Sequence, residues 1–489
     1  MMKSLFEKIL HLSGKGHLYV AGGPVRDWLL ERPVLDIDLV LPGGAVEAAR
    51  AFSSRTGGAF VLLDADEDVA RVVLEGFSFD FSSFRRGTET IEEDLAQRDF
   101  TINAMAAPLE PLIPFFKQAG PGLLVEKDQL HRVIIDPYGG QRDLGNRLIR
   151  VLSPENMEDD PLRMLRAFRF RALLDFSIHE VLLELVSRRA HLIHRSASER
   201  TNYELELIMA TSRAGRTLVE LFETGLLQEI VPEVKEAKGV EQPGFHHLDV
   251  AHHCLETVSC LDRLVEDPCI RFSDCKVFSE WLGKNRHRIP YLKWAGLLHD
   301  FGKPSRKGLR EDGRVTFYNH DRQGAQMAAR IARRLRWSKA EASFVQALVR
   351  MHMRPFHLLN DLRKGGPSRR AMRKLLQETD SDYPALFFLA MADSMAGCGP
   401  MKPEGLDREL SLLFDRIHAF YQKRLLPARE TPPLLNGRDI MEFFSIGPGP
   451  LVGKALRAVD AARIEGIVRT REEALSWLKA RFPDELPES

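Results

Sequence analysis

Gly22-Gly-Pro-Val-Arg-Asp27, followed by Asp36-Ile-Asp-Leu-Val-Leu41, decides how the front of this chain folds. The first stretch closes a short β run, Leu18-Tyr-Val-Ala21, with two glycines, and Val25–Leu30 then reads as an opening helix. The second alternates polar with apolar residues, the period of a strand with one buried face. Asp36 and Asp38, two apart on that strand, project from the same face. Carboxylates so placed share divalent metal ions, the arrangement that clamps a polyphosphate and activates a hydroxyl nucleophile. The turn at Gly22 and Gly23 lets backbone N–H groups approach phosphate oxygens without a Cβ clash, and Arg26 adds a charged contact. Alone, an Asp-x-Asp pair is most often a solvated edge-strand pattern; behind this glycine turn the metal-binding reading is preferred.

Working outward, Ala59-Phe-Val-Leu-Leu63, Ala70-Arg-Val-Val-Leu74 and Phe77-Ser-Phe-Asp-Phe81 add short strands, so the first ~140 residues read as mixed α and β. Asp80 lies on the last of them and is either a third catalytic carboxylate or a solvated strand position. From Asp143 onward apolar residues recur at three- and four-residue spacing, and the rest of the chain is expected to be helical. Breaks rich in proline or glycine near 231–245, 400–405 and 426–450 mark the joints. Residues 110–135 read as an inserted loop.

Three further motifs follow in order: Gln97-Arg-Asp-Phe-Thr-Ile-Asn-Ala-Met-Ala106, Asp136-Pro-Tyr-Gly-Gly-Gln-Arg-Asp-Leu144 and Asp159-Asp-Pro-Leu-Arg-Met-Leu-Arg-Ala-Phe-Arg-Phe170. With the opening stretch they resemble the class II tRNA nucleotidyltransferase and bacterial poly(A) polymerase family over residues 15–215. Gln97 stands where that family usually has arginine. The resemblance implies an α+β fold: a small nucleotidyltransferase head with a short mixed or antiparallel sheet, followed by an all-α neck, HD domain and tail. The corresponding boundaries are 1–145, 146–240, 241–400 and 401–489. It also implies template-independent addition of C, C and A to tRNA 3′ ends from CTP and ATP with Mg²⁺. Poly(A) polymerase, or a CC-adding or A-adding specialist, is the alternative within the family. By the same resemblance Arg98, Asp99 and Asn103 belong to the nucleotide site.

Asp159-Asp160-Pro161 suits a helix start, with Asp160 and Arg163 on one face. Cytosine and adenine each present an amino donor beside a ring-nitrogen acceptor, which a carboxylate and a guanidinium match; guanine and uracil offer an oxygen where the carboxylate needs a donor. The family's Glu/Asp-Asp-x-x-Arg segment selects the incoming base, a role carried here onto Asp159, Asp160 and Arg163. Arg166 and Arg169 continue the spacing as a basic stripe suited to phosphates. Arg200, in the next motif of the family, either braces this pocket or belongs to a structural helix.

A second cluster of ligand-type residues, His253, His299, Asp300, His320, His352 and Asp393, runs in H…HD…H…H…D order. Imidazoles with carboxylates suit one or two divalent transition metals, which lower the pKa of bound water for phosphoester hydrolysis. The order resembles the HD-superfamily metal-dependent phosphohydrolases. His253 is preferred over His252 from its spacing after Asp249. A metal-dependent phosphohydrolase whose head merely binds nucleotides is the reading from another class.

The chain has 489 residues, 69 basic and 69 acidic, with 44% hydrophobic and 28% charged. That composition excludes wholesale disorder, and no apolar run is long enough to span a membrane. Neutrality conceals patches. Arg363, Lys364, Arg369, Arg370, Arg373 and Lys374 form a basic run suited to an RNA backbone. Arg330, Arg333, Arg334, Arg336 and Lys339 form a second, and Lys303, Arg306, Lys307 and Arg310 a third. Five cysteines without a Cys-x-x-Cys pair argue against a disulfide framework. Together with a start that lacks a signal-peptide core, they set the expectation of a cytoplasmic protein.

Overall fold

The computed structural model describes residues 2–13, 18–242 and 244–482. It divides into two compact units, Met1–Leu205 with Leu221–Ile230, and Glu206–Glu220 with Val231–Ser489. The division runs inside the 146–240 helical segment, and the 241–400 and 401–489 segments fall within one unit.

The first unit is built on a six-stranded mixed sheet of β1 (Tyr19–Ala21), β2 (Asp36–Leu41), β3 (Ala59–Asp64), β4 (Val69–Leu74), β5 (Phe77–Ser83) and β6 (Ala106–Pro108), in the order β3-β4-β5-β2-β1-β6. Only β2 and β5 run parallel; the other pairs are antiparallel. The alternation in β2 and β5 puts Ile37, Leu39, Phe79 and Phe81 inward, each at most 1% exposed. Phe52 of helix α2 (Ala45–Thr56) packs edge-on to Phe79 with ring centroids 5.3 Å apart. Burying such aromatic side chains stabilises the sheet by a few kcal/mol each. Their partners in the pleat, the polar residues, are thereby turned to the other face.

Residues 110–135 are ordered rather than a loose insertion. They contain a hairpin, Phe116–Ala119 with Gly122–Val125, whose Leu123 carbonyl accepts a hydrogen bond from Trp28 Nε1 at 2.9 Å. Phe116 packs on Phe6 and Trp28, so the segment closes the base of the core.

The second unit is mainly helical: α6 (Val250–Glu266), α7 (Ile289–Leu298), α8 (His320–Arg334), α9 (Lys339–Met351), α10 (Arg369–Thr379) and α11 (Tyr383–Ala396) surround a common core, and a small hairpin joins Gly308–Leu309 to Val315–Thr316. The C-terminal helices α12 (Gly437–Phe444), α13 (Pro450–Glu465) and α14 (Arg471–Arg481) bury a core of their own around Ile440, Val459 and Leu478. Among the described residues no helix is long and apolar enough to cross a membrane. One expectation is corrected. Cys269 and Cys275 form a disulfide, because the turn between α6 and the next helix brings their Cα atoms to 5.0 Å; Cys254, Cys260 and Cys398 are free.

Candidate active site

Asp36 and Asp38 stand at the start of β2, and the parallel register with β5 sets Asp80 directly opposite Asp38. Asp36 is exposed and Asp38 partly buried. Burial raises the Asp38 carboxyl to about 6, reinforced by Asp80 and Asp36 and opposed by Arg98 and Arg85. Crowded carboxylates whose charge the protein itself does not fully offset fit a divalent cation, which would relieve that repulsion. Asp80 is less free than its position suggests. Arg71, its cross-strand partner on β4, grips it at two points, 2.6 and 2.7 Å.

Gly22 precedes helix α1 (Gly23–Leu29) with φ +79°, and Asp38 faces both glycines of the turn. Arg26 does not reach outward. It is buried, pairing with Asp27 at 2.8 Å and donating to Asn103 Oδ1 at 2.7 Å. Asn103 in turn donates to Asp99 at 3.0 Å. Arg98 is buried beside Gly22 and bonds Asp94 at 3.3 Å; burial, with Arg85 nearby, lowers its guanidinium to about 10. Asp99 is held down at about 2: burial opposes ionisation, but Arg166, Asn103 and Arg163 outweigh it.

Helix α4 (Leu162–Leu174) follows Asp159 and Asp160, with Pro161 as its N-cap residue; Asp159 ends a preceding short helix, α3 (Glu155–Asp159). The Asp160–Arg163 ion pair allowed by their spacing is not formed. Asp160 pairs with Arg200 at 3.0 Å on α5 (Ser198–Met209), and Asp159 with Arg86 at 2.7 Å. Arg163 donates to the carbonyls of Gln97, at 2.8 Å, and Arg98, at 3.3 Å. At position 97 this contact uses the backbone alone, so the residue's side chain is not needed for it. The basic stripe is likewise engaged within the protein: Arg166 pairs with Asp99 at 2.7 Å and Arg169 with Glu204 at 2.9 Å. Both guanidiniums lie over Phe170, as does that of Arg26. The stripe thus ties α4 to Asp99 through Arg166 and to Glu204 of α5 through Arg169 instead of standing free for phosphate. Sequence reading missed Arg71 and Arg85, whose partners Asp80 and Asp94 each lie nine residues on across a turn, Asp94, which also holds Arg98 four residues on, and Glu204, whose partner Arg169 lies on another helix.

In the second unit all six HD-pattern residues converge. Asp300 Oδ2 lies 3.2 Å from His299 Nε2 and 3.8 Å from His253 Nε2; its Oδ1 lies 3.2 Å from His320 Nε2 and 3.6 Å from His352 Nε2. Asp393 reaches His253 Nε2 at 3.0 Å. His299, His320 and His352 each bond a backbone carbonyl three residues earlier through Nδ1, at 2.7–2.8 Å, which turns Nε2 toward Asp300. Such tethering is how metal-binding imidazoles are oriented. All six are at most 8% exposed. His252 instead bonds Asp249 at the surface, so His253 is the inward member of the pair. Burial lowers the His253 and His352 imidazoles, while the neighbouring cations Lys303 and His299 hold Asp300 ionised against its burial. Neutral imidazoles and ionised carboxylates are the forms that bind metal, and His253, His352 and Asp300 present them; His299, raised against its burial by Asp300 and Cys254, would give up a proton on binding a metal. Two residues join this cluster unforeseen: His246, and Lys303, which sits 2.5 Å from Asp300 and is 7% exposed. Lys303 therefore belongs to this centre, not to a surface RNA patch.

The main basic run is only partly free. Arg363 pairs with Glu409, Arg373 with Glu465 at 2.7 Å, and Lys374 with Glu378 at 3.8 Å, while Arg369 donates to the Glu465 carbonyl at 2.9 Å. Lys364 and Arg370 are exposed. In the second run Arg334 pairs with Glu233.

Comparison with known proteins agrees with this layout. The Poly A polymerase head domain matches residues 18–150, the probable RNA and SrmB-binding site of polymerase A matches 175–238, and the HD domain matches 250–384. The A-adding tRNA nucleotidyltransferase of Deinococcus radiodurans is 33% identical over 476 residues, 96% of each chain. The CC-adding tRNA nucleotidyltransferase of Geobacter sulfurreducens is 31% identical over 489 residues, 98% of this chain and 94% of that one. A CCA-adding enzyme in its apo form shares the fold at TM-score 0.65 and 22% identity, over 100% of this chain and 95% of that one. The Thermotoga maritima CCA-adding enzyme in complex with tRNA does so at TM-score 0.61 and 22% identity, over 98% and 94%. Head, RNA-binding segment and HD domain follow one another along this chain, which is more than 30% identical to these relatives over nearly their whole length, and the chain belongs to the tRNA nucleotidyltransferase family, a nucleotidyltransferase with divalent-metal-dependent domains.

Proposed function

We propose that this protein adds C, C and A in turn to the 3′ ends of tRNA, using CTP and ATP and no nucleic-acid template. The observation that carries this reading is the link from Asp38 to helix α4: Asp38 and Arg98 both border Gly22, the carbonyls of Gln97 and Arg98 accept from Arg163, and Asp99 pairs with Arg166. Asp36 and Asp38 would hold Mg²⁺, which supplies activation of the terminal ribose hydroxyl and neutralisation of charge on the transferred phosphoryl group. The Gly22–Gly23 turn and Arg98 receive the triphosphate. Asp80 sets the electrostatics of Asp38 from the opposite strand, with Arg71 holding its carboxylate. Asp160 and Arg163 read the amino donor and ring-nitrogen acceptor of the incoming base. To do so, Asp160 exchanges Arg200 for the base amino group. Arg166 and Arg169, together with Arg26, Asp99 and Asn103, position the helix.

The test is labelled-nucleotide incorporation into tRNA lacking its 3′ terminus. Asp38→Ala abolishes it, and Arg163→Ala weakens the choice of C and A over G and U. A second reading is favoured by the names of the full-length relatives, which describe A-adding and CC-adding enzymes. Under that reading the chain performs only one part of the sequence, and incorporation is confined to one class of acceptor end.

The HD cluster serves a separate metal-dependent hydrolysis of phosphoesters, with the two oxygens of Asp300 facing two groups of histidines. His253, His299, Asp300, His320, His352 and Asp393 would hold a divalent transition metal, which when bound would supply acidification of water for that hydrolysis. Lys303 keeps Asp300 ionised. The exposed cations Lys364 and Arg370 hold an RNA backbone. A tRNA substrate supports a cytoplasmic location.

A further inference from the structure

The six residues of the HD order are not the whole donor set. His246 lies seven residues before His253, on the segment that leads into α6, and no periodicity marks it. Its ring meets that of His253 edge-on with centroids 4.3 Å apart, and its ligand atom lies within 4.8 Å of those of His253 and Asp393. Its Nδ1 is buried and has no hydrogen-bond partner among the described residues. By contrast, His299, His320 and His352 each spend Nδ1 on a backbone carbonyl.

The backbone fixes this placement. Gly399 N donates to the Phe245 carbonyl at 2.8 Å, Met401 N to the Gly244 carbonyl at 3.0 Å, and Cys398 N to His247 Nδ1 at 3.3 Å. The two segments run so close that a Cβ at Gly399 would collide with the Gly244 carbonyl and the His246 amide. His246 is thus delivered to the cluster by its main chain, with an unpaired buried nitrogen, on its solvent side: Phe245 and His247 are exposed, whereas the six other donors are inside. Buried polar nitrogens are rarely left unpaired, and an imidazole beside another imidazole and a carboxylate is a donor set for a divalent transition metal.

We propose that His246 is a seventh metal ligand of the HD centre, closing the side formed by His253 and Asp393. This rests on the reading of the HD cluster as a metal site. The test is calorimetric titration of the metal-stripped full-length chain with Zn²⁺, in an Asp36→Ala/Asp38→Ala background that removes the head carboxylates. His246→Ala is expected to weaken Zn²⁺ binding at least about tenfold, as His253→Ala does, while His247→Ala binds as the parent. The metal-free melting temperature of His246→Ala should match the parent, showing that the loss is not one of folding. If His246→Ala titrates like the parent while His253→Ala loses affinity, the inference is overturned and the HD reading stands. If the parent binds no Zn²⁺, both fall.

Discussion

The guanidinium of Arg98 occupies the space that a side chain on residue 22 would need, so Gly22 and Arg98 are complementary parts of one wall beside Asp38. Gly22 is also held at φ +79°, a region costly to residues with a Cβ. Gly22→Ala is therefore expected to cost about 1–2 kcal/mol of stability and to displace Arg98. Nucleotide incorporation should fall at least about tenfold, with the loss in KM for the nucleotide as well as in kcat. Steady-state kinetics beside a thermal melt checks both parts.

Asp38 is placed for function at the expense of folding. Its carboxyl is raised by burial to about 6, above its unfolded value of 3.8. The contribution of this carboxyl to stability is thus most favourable below about pH 4 and is lost as pH rises through 6, when the carboxyl must ionise. Asp38→Asn escapes that loss. In metal-free buffer at pH 7 it should be more stable than the wild type by about 2 kcal/mol, with the advantage gone at pH 4, and it should incorporate no nucleotide.

Asp99 carries the opposite sign. With its carboxyl held at about 2 beside Arg166 and Asn103, it contributes stability that is present above pH 3.8 and lost as pH falls through 2. Asp99→Asn should cost about 2 kcal/mol at pH 7, since Arg166 is left without its partner. The difference between variant and wild type, followed by denaturant titration, should shrink as pH is lowered below 4.

The two metal-binding units should be separable. His299→Ala with Asp300→Ala is expected to abolish hydrolysis of cyclic or 2′-phosphates while nucleotide incorporation continues. Asp36→Ala should do the reverse. Parallel assays of both reactions on both variants check this, and loss of both activities in either variant would contradict independent sites.

How far the sequence could be read follows from where each partner lies along the chain. The strands around Asp36–Asp38 and Phe77–Phe81 were legible because alternation is local. The Arg71 grip on Asp80 was not, since it depends on the register of β4 against β5. The i,i+3 spacing of Asp160 and Arg163 put both on one face, but their actual partners are Arg200 and the carbonyls of residues 97 and 98. Lys303 looked like one more cation in a basic run. Its position three residues after Asp300, in the turn that ends α7, was the signal that it points inward. Residues 110–135 lack a simple period, because a hairpin and a short helix share the work of filling the core beside Trp28. His246 had no signal at all: a pairing of two loops brings it to the cluster.

The most direct measurement uses three tRNA transcripts, ending before CCA, after C and after CC, each incubated with purified protein and labelled CTP or ATP. The account predicts CTP incorporation on the first two and ATP incorporation on the third, with GTP and UTP refused throughout. Incorporation on one class of end alone would reduce the protein to a CC-adding or A-adding enzyme. Long ATP-only tails on unstructured RNA would make it a poly(A) polymerase, and no incorporation on any transcript would contradict the account.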